Sequence, residues 1–151
     1  MQTINYKFDM FCGDMDRLAQ QIKHSGEDYE CIVGIARGGL VPATVLSHQL
    51  NIPLLPLVWQ TRETQIKQDL MEVKRIIQQG GKILFVDDMI DSGQTFNEIR
   101  RELDADCEST NTAVIFYNPD QPVKPDFFAR ILDRRIDQRW VVFWWEQLPL
   151  F

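Results

Sequence analysis

Residues 83–95 read ILFVDDMIDSGQT. The apolar run Ile83–Val86 follows Gly80 and Gly81, and its continuous hydrophobic character predicts a strand buried from both sides, as in a parallel α/β sheet. Asp87 and Asp88 fall just past that strand. Ser92, Gly93, Gln94 and Thr95 then lead into a second pattern, Phe96, Ile99 and Leu103, whose spacing marks one face of a helix. Thr95 and Glu98 stand at capping-box spacing, which places the helix start where the polar turn ends. Strand, acidic turn and helix is the unit from which the rest of the chain is read.

Working outward, Phe11, Met15, Leu18, Ala19 and Ile22 predict an amphipathic helix over residues 11–24. ECIVGI, residues 30–35, reads as a buried strand. It is followed by the turn ARGG and the apolar LVPATVLSHQL, a helix with Pro42 near its start. IPLLPLVW, residues 52–59, carries Pro53 and Pro56 and therefore reads as an irregular or edge strand. Leu70, Val73, Ile76 and Ile77 mark a helix stopping at Gly80 and Gly81. TNTAVIFY, residues 110–117, is another strand. NPDQPVKPDFF is a proline-broken loop, and short strands are expected around ARILD and WVVFW. Strands alternating with helices predict a compact parallel-sheet core flanked by helices.

The whole chain narrows the setting. Its 151 residues suit one domain, and 16 Lys+Arg against 22 Asp+Glu leave a net charge of −6, which offers nucleic acid no general attraction. No apolar run approaches the ~18 residues of a membrane span. The beginning of the chain lacks the apolar centre of a secretory peptide. Cys12, Cys31 and Cys107 are odd in number and without metal-ligand spacing, so reduced thiols and a cytoplasmic protein are expected. His24 and His48 form no ligand cluster and read as packing or locally hydrogen-bonded residues.

In an open α/β sheet, ligands approach the carboxyl ends of the strands. Backbone N–H groups at the start of the helix after Gly93 can hold a phosphate, and glycine permits the close turn that aims them. Asp87 and Asp88 can accept hydrogen bonds from sugar hydroxyls or approach magnesium, while Asp91 can exchange a proton with another part of the ligand. The same acids can instead cap backbone groups, and an aspartate at a strand end is also where a signalling domain accepts a phosphoryl group.

Two motifs together resemble the type I phosphoribosyltransferase family, in particular its compact purine-salvage branch: ILFVDDMIDSGQT and, about fifty residues earlier, GIARGGLVPA (residues 34–43). The resemblance covers about residues 28–118 and extends weakly through the tail. It implies a single domain over 1–151, with a core of about 28–118 and a small hood from about 1–12 and 119–151. It further implies transfer of a 5-phosphoribosyl group from phosphoribosyl pyrophosphate to a purine-like base, with Mg2+ as cofactor. By this resemblance Asp87 and Asp88 bind the ribose hydroxyls, directly or through magnesium. Ser92, Gly93, Gln94 and Thr95 hold the 5-phosphate, and Asp91 is the general base. Arg37, Gly38 and Gly39 bind pyrophosphate, with a cis Ala36-Arg37 peptide in prospect. Arg62 and Lys67 lie in WQTRETQIK, where the family carries a mobile lid. A homo-oligomer is expected, without nucleic-acid or membrane partners. A regulatory protein that binds phosphoribosyl pyrophosphate or a nucleotide without turnover is the alternative.

For the acceptor base, the tail RWVVFWWE resembles the aromatic base-binding end of the compact purine enzymes, which implies Trp140 for stacking and Val141 for a backbone carbonyl contact; Trp140, and more so Trp144 and Trp145, can instead anchor the hood or an oligomer contact. Asn118 stands where 6-oxopurine enzymes of the family have a lysine. An asparagine there can donate to a base carbonyl but brings no charge.

Overall fold

The computed structural model describes residues 2–59, 67–103 and 108–147, with residues 67–69 described by backbone alone. The expected alternation appears. Strand β2 (Cys31–Ala36) leads through α2 (Leu40–Leu50) to β3 (Leu54–Val58). From there α3 (Lys67–Gln78) leads to β4 (Ile83–Ile90), and α4 (Gln94–Leu103) to β5 (Thr110–Tyr117) and β6 (Phe127–Ile131). These five strands form one all-parallel sheet in the order β3-β2-β4-β5-β6. The proline-bearing β3 is an edge strand, where a missing N–H is tolerated.

Alternate residues of the strands serve two apolar layers, which is why the strands read as continuous hydrophobic runs. Ile32, Leu84, Val86, Ala113 and Ile115 face α2 and α1 (Phe8–Ser25), whose Phe11, Met15, Leu18 and Ile22 are buried. Val33, Ile35, Phe85 and Val114 face the opposite layer, with Val73 of α3 and Phe96 and Ile99 of α4. Among the described residues no helix is long and apolar enough to cross a membrane.

A second, two-stranded sheet joins the ends of the chain. Strand β1 (Thr3–Tyr6), which carries no strand signal in the reading above, pairs in parallel with β7 (Trp140–Phe143), with Ile4 opposite Val141. Trp144 and Trp145 follow in a short 3-10 turn. Trp145 stacks on Phe143 at 4.6 Å between ring centroids and meets Phe11 edge-on at 5.7 Å, while Trp144 meets Phe8 edge-on at 5.3 Å. The tail is thereby fastened over α1 by aromatic edges.

Three local expectations are corrected. Strand β4 runs on to Ile90, so Asp87 and Asp88 lie within it, because pairing of Asp87 with Val114 and of Met89 with Phe116 overrides the low strand propensity of aspartate. Helix α4 begins at Gln94, which puts Thr95 inside its first turn, and the Glu98 carboxylate accepts from Trp59 Nε1 at 3.1 Å and Gln94 Nε2 at 2.7 Å instead of closing a capping box. Strand β6 takes in Phe127 and Phe128, which the sequence reading left in the loop.

Candidate active site

Strands β2 and β4 are neighbours, yet the chain leaves β2 for β3 on one side and reaches β4 on the other. This reversal opens a crevice at their carboxyl ends, where α/β sheets bind ligands. The turns Arg37–Gly39 and Asp91–Gly93 both stand at that edge. The Ala36-Arg37 peptide is cis, Arg37 is exposed, and Gly39 N–H donates to Ile35 O at 2.8 Å. A methyl group placed on Gly38 would lie 2.6 Å from Asp88 Cγ, so the glycine turn rests directly on the acidic pair. One on Gly39 would come within 2.7 Å of Ile35 O and 2.8 Å of Asp87 Cα. Gly39 is required by close approach of backbone, whereas Gly38 abuts the end of a side chain.

Asp87 and Asp88 are half-buried, and the Asp88 N–H donates to Asp87 Oδ1 at 2.9 Å. Burial, reinforced by the neighbouring Asp88 charge, pushes the Asp87 carboxyl well above the usual carboxylate range. Asp88 is raised as well, again chiefly by burial, with the nearby Glu146 adding to it. Beyond them Gly93 adopts φ +76° and packs on Val123, and Gln94 N–H donates to Ser92 Oγ at 3.3 Å. Ser92 and Gln94 are exposed and Thr95 is half-buried at the start of α4, whose first N–H groups lack intrahelical partners.

On the far side of Asp88 lies a cavity of about 180 Å³. Asp91 and Arg134, which pair with each other, line it together with Asp88, Met89, Glu146 and the β7 residues Trp140, Val141 and Phe143. Trp140 is 60% exposed, whereas the Val141 side chain is buried. Asn118 is 2% exposed, and its side chain turns inward. Its Nδ2 donates to Asp91 O at 3.2 Å and Asp91 Oδ1 at 3.3 Å, while its Oδ1 accepts from the N–H groups of Asp120 at 3.2 Å and Arg134 at 3.3 Å. An amide engaged on all these groups braces the turn. Asn118, expected to contact the base, lies outside the cavity lining.

Arg134 carries no motif in the sequence, where it lies in DRRIDQR between the strands expected around ARILD and WVVFW. Its distance in sequence from Asp91 hides the pairing. Leu132 N–H donates to Tyr117 O at 2.8 Å, continuing the β5–β6 ladder past the end of β6 and delivering Arg134 to the edge where Asp91 stands. Of the other candidates, His24 hydrogen-bonds Gln20 O at 2.7 Å within α1, His48 is exposed in the last turn of α2, and Cys31 is buried. Burial pushes the Cys31 thiol up, away from nucleophile chemistry. Arg62, Cys107 and the Lys67 side chain lie outside the described residues.

A parallel α/β sheet with two glycine-bearing turns, an acidic pair and a base-sized cavity at one strand edge defines a protein built to hold a phosphorylated sugar beside a flat heterocycle. The chain belongs to the phosphoribosyl transferase domain family, which matches residues 9–147. It is 26% identical to a xanthine-guanine phosphoribosyltransferase of Chromohalobacter salexigens over 147 residues, covering 96% of this chain and 85% of that one. A protein of the same description from Gluconobacter oxydans is 28% identical over 158 residues, covering 99% and 90%. The crystal structure of a purine phosphoribosyltransferase from Pyrococcus horikoshii superposes with a TM-score of 0.73 at 26% identity, covering 100% of this chain and 99% of that one. By family the chain is a phosphoribosyltransferase, a transferase of pentosyl groups, and a binder without turnover is not favoured.

Proposed function

We propose that this protein transfers the 5-phosphoribosyl group of phosphoribosyl pyrophosphate to a ring nitrogen of a purine-like base. The observation that carries this reading is the contact of the Gly38 turn with Asp88 at the mouth of the cavity that holds Asp91 and Trp140. Such a site can grip both phosphate ends of one sugar while the base lies beside its anomeric carbon. Arg37 and the Gly38-Gly39 backbone take the diphosphate, the Ser92–Thr95 turn takes the 5-phosphate, and Asp87 and Asp88 hold the ribose hydroxyls. Trp140 stacks on the base, and the Val141 carbonyl accepts from its exocyclic amino group.

In the reaction the bond from C1′ to the diphosphate oxygen breaks and a bond from C1′ to the base nitrogen forms. The proton on the second imidazole nitrogen passes to the Asp91 carboxylate, and pyrophosphate departs. The chain's own contribution is placement of both reactants and of the proton acceptor, with no protein nucleophile.

Magnesium fits the donor set. Two adjacent carboxylates, both pushed up by burial, gain from a divalent charge, and magnesium characteristically takes one or two carboxylates together with substrate oxygens. When bound it would neutralise charge developing on the departing diphosphate. Homo-oligomerisation is carried over from the family resemblance, and a cytoplasmic setting from the odd number and spacing of the cysteines.

The test is pyrophosphate release from phosphoribosyl pyrophosphate with magnesium, over hypoxanthine, guanine, xanthine, adenine and pyrimidine bases. A purine-dependent signal is expected. Equal release with and without base would overturn the reading, and tight binding without release across the panel would favour a regulatory protein.

The paired glycines give a second test. In Gly38→Ala the nearest obstacle is the end of the Asp88 side chain, which can move. The fold should survive with an unchanged Tm, while the displaced carboxylate lowers kcat/KM for phosphoribosyl pyrophosphate about 10- to 100-fold. In Gly39→Ala the obstacles are backbone atoms, and the expected result is a loss of about 1–3 kcal/mol of stability. Wild-type kinetics for Gly38→Ala would separate that turn from the diphosphate site.

A further inference from the structure

Asn118 is engaged inward and lies outside the cavity lining, whereas the lining itself presents a charged donor. Arg134 Nε donates to Asp91 Oδ1 at 3.2 Å, and Nη2 approaches Asp91 Oδ2 at 3.4 Å and the Met89 sulfur at 3.7 Å. Nη1 donates to Arg139 O at 2.6 Å. The guanidinium is therefore held from both sides, by the acid and by the backbone just ahead of Trp140, with its side chain only 18% exposed and Asp91 49% exposed. A guanidinium carries five N–H donors. Those engaged here leave a second Nη1 hydrogen without a partner among the described residues, and the bonds from Nη2 are long.

An acceptor, Asp91, and a fixed donor, Arg134, thus stand side by side in the lining of a cavity that also holds Trp140 and Phe143, with Asp88 and Glu146 as its other acids. Their complement is a planar heterocycle that presents a ring N–H next to a carbonyl oxygen on the same edge. A 6-oxopurine carries that pair on its imidazole side, with the ring N–H to Asp91 and the 6-oxo group to the guanidinium. A 6-aminopurine turns a donor toward the guanidinium, and two donors facing each other leave both unpaired.

We propose that Arg134 is the specificity-determining residue of the acceptor site, donating to the base carbonyl and selecting 6-oxo over 6-amino purines. Asn118 acts through it and through Asp91 as a positioning residue, since its Oδ1 holds the Arg134 N–H and its Nδ2 holds Asp91. The inference rests on the phosphoribosyl-transfer reading for the identity of the base. The donor-acceptor wall itself is independent of turnover.

The experiment compares wild type, Arg134→Gln and Arg134→Lys with hypoxanthine and adenine in two assays: kcat/KM for pyrophosphate release, and base binding followed by tryptophan fluorescence. Wild type should favour hypoxanthine in both. Arg134→Gln should lower the hypoxanthine-to-adenine ratio about 10- to 100-fold, the selective loss expected on removing a charged hydrogen-bond donor to the base carbonyl. Arg134→Lys, which keeps the charge without the fork, should recover part of the preference. If Arg134 merely props Asp91, both bases fall together and the hypoxanthine-to-adenine ratio stays at its wild-type value, which overturns the proposal. A wild-type preference for adenine overturns it as well. Absence of turnover with any base would count against the transferase reading, while the binding assay still decides for or against Arg134 by whether the oxo preference exists and disappears in Arg134→Gln.

Discussion

Asp91→Asn is expected to lower kcat with the preferred purine about 10²- to 10⁴-fold while leaving KM for phosphoribosyl pyrophosphate near its wild-type value. The substitution keeps the shape of the side chain and removes its capacity to take a proton. An asparagine oxygen can still accept from Asn118 Nδ2 and Arg134 Nε, which reach Asp91 Oδ1 at 3.3 and 3.2 Å, so the turn retains its braces. The phosphate turns and the acidic pair are built from other residues, and sugar binding should persist. The split matters because a residue that only shaped the cavity would change the base KM with little effect on kcat. Steady-state kinetics with both substrates varied, alongside a thermal melt to establish folding, is the measurement. A variant within a few-fold of wild type in kcat would remove Asp91 from proton transfer.

The largest stability effect is expected at Asp14, which is not among the residues lining the cavity. This carboxylate is fully buried on α1, where it accepts from Tyr6 OH at 2.6 Å and Arg130 Nε at 2.6 Å and pairs with Arg17. It ties β1, α1 and β6 together, and the Arg130 guanidinium sits 5.8 Å from the centre of the Tyr6 ring. Replacing Asp14 by Ala leaves Arg130 and the Tyr6 hydroxyl without their acceptor, and removing one partner of a buried ion pair costs about 3–5 kcal/mol. At this chain length such a loss lowers Tm by roughly 10 °C.

Burial alone would push the Asp14 carboxyl up, but hydrogen bonds from Arg130, Tyr6 and Arg17 outweigh it, and the net position is below the ordinary value of 3.8. The native state therefore binds the Asp14 proton more weakly than the unfolded chain does. The stability this group contributes is complete above 3.8 and is lost as pH falls through the lower, folded-state value. Urea melts of wild type and Asp14→Asn at about pH 7 and about pH 3 should show a stability difference that shrinks on acidification. A difference of equal size at both pH values would show that the carboxylate charge plays no part.

Much of the fold could be read along the chain because its signals are local. The uninterrupted run Ile83–Val86, the helical spacing of Phe96, Ile99 and Leu103, and Pro53 and Pro56 in an edge strand each report on a few consecutive residues. The reading failed where a partner strand decided the outcome. Aspartate is a poor strand former, so the strand was expected to stop at Val86, yet β5 holds β4 in register as far as Ile90. Strand β1 escaped notice because four residues carry little pattern of their own, and pairing with β7 makes the strand.

The acidic pair, the two glycine turns and Asp91 were determined by the sequence itself, since a phosphate turn needs a short contiguous run of glycine, small polar residues and backbone N–H groups. The tertiary structure alone decided that Asn118 braces Asp91 from outside the cavity lining, and that Arg134, 43 positions downstream of Asp91, pairs with it in that lining. Which side chains line the cavity depends on the strand order that brings the ends of β4, β5 and β6 to one edge, and that order is a property of long-range packing that no stretch of residues carries locally.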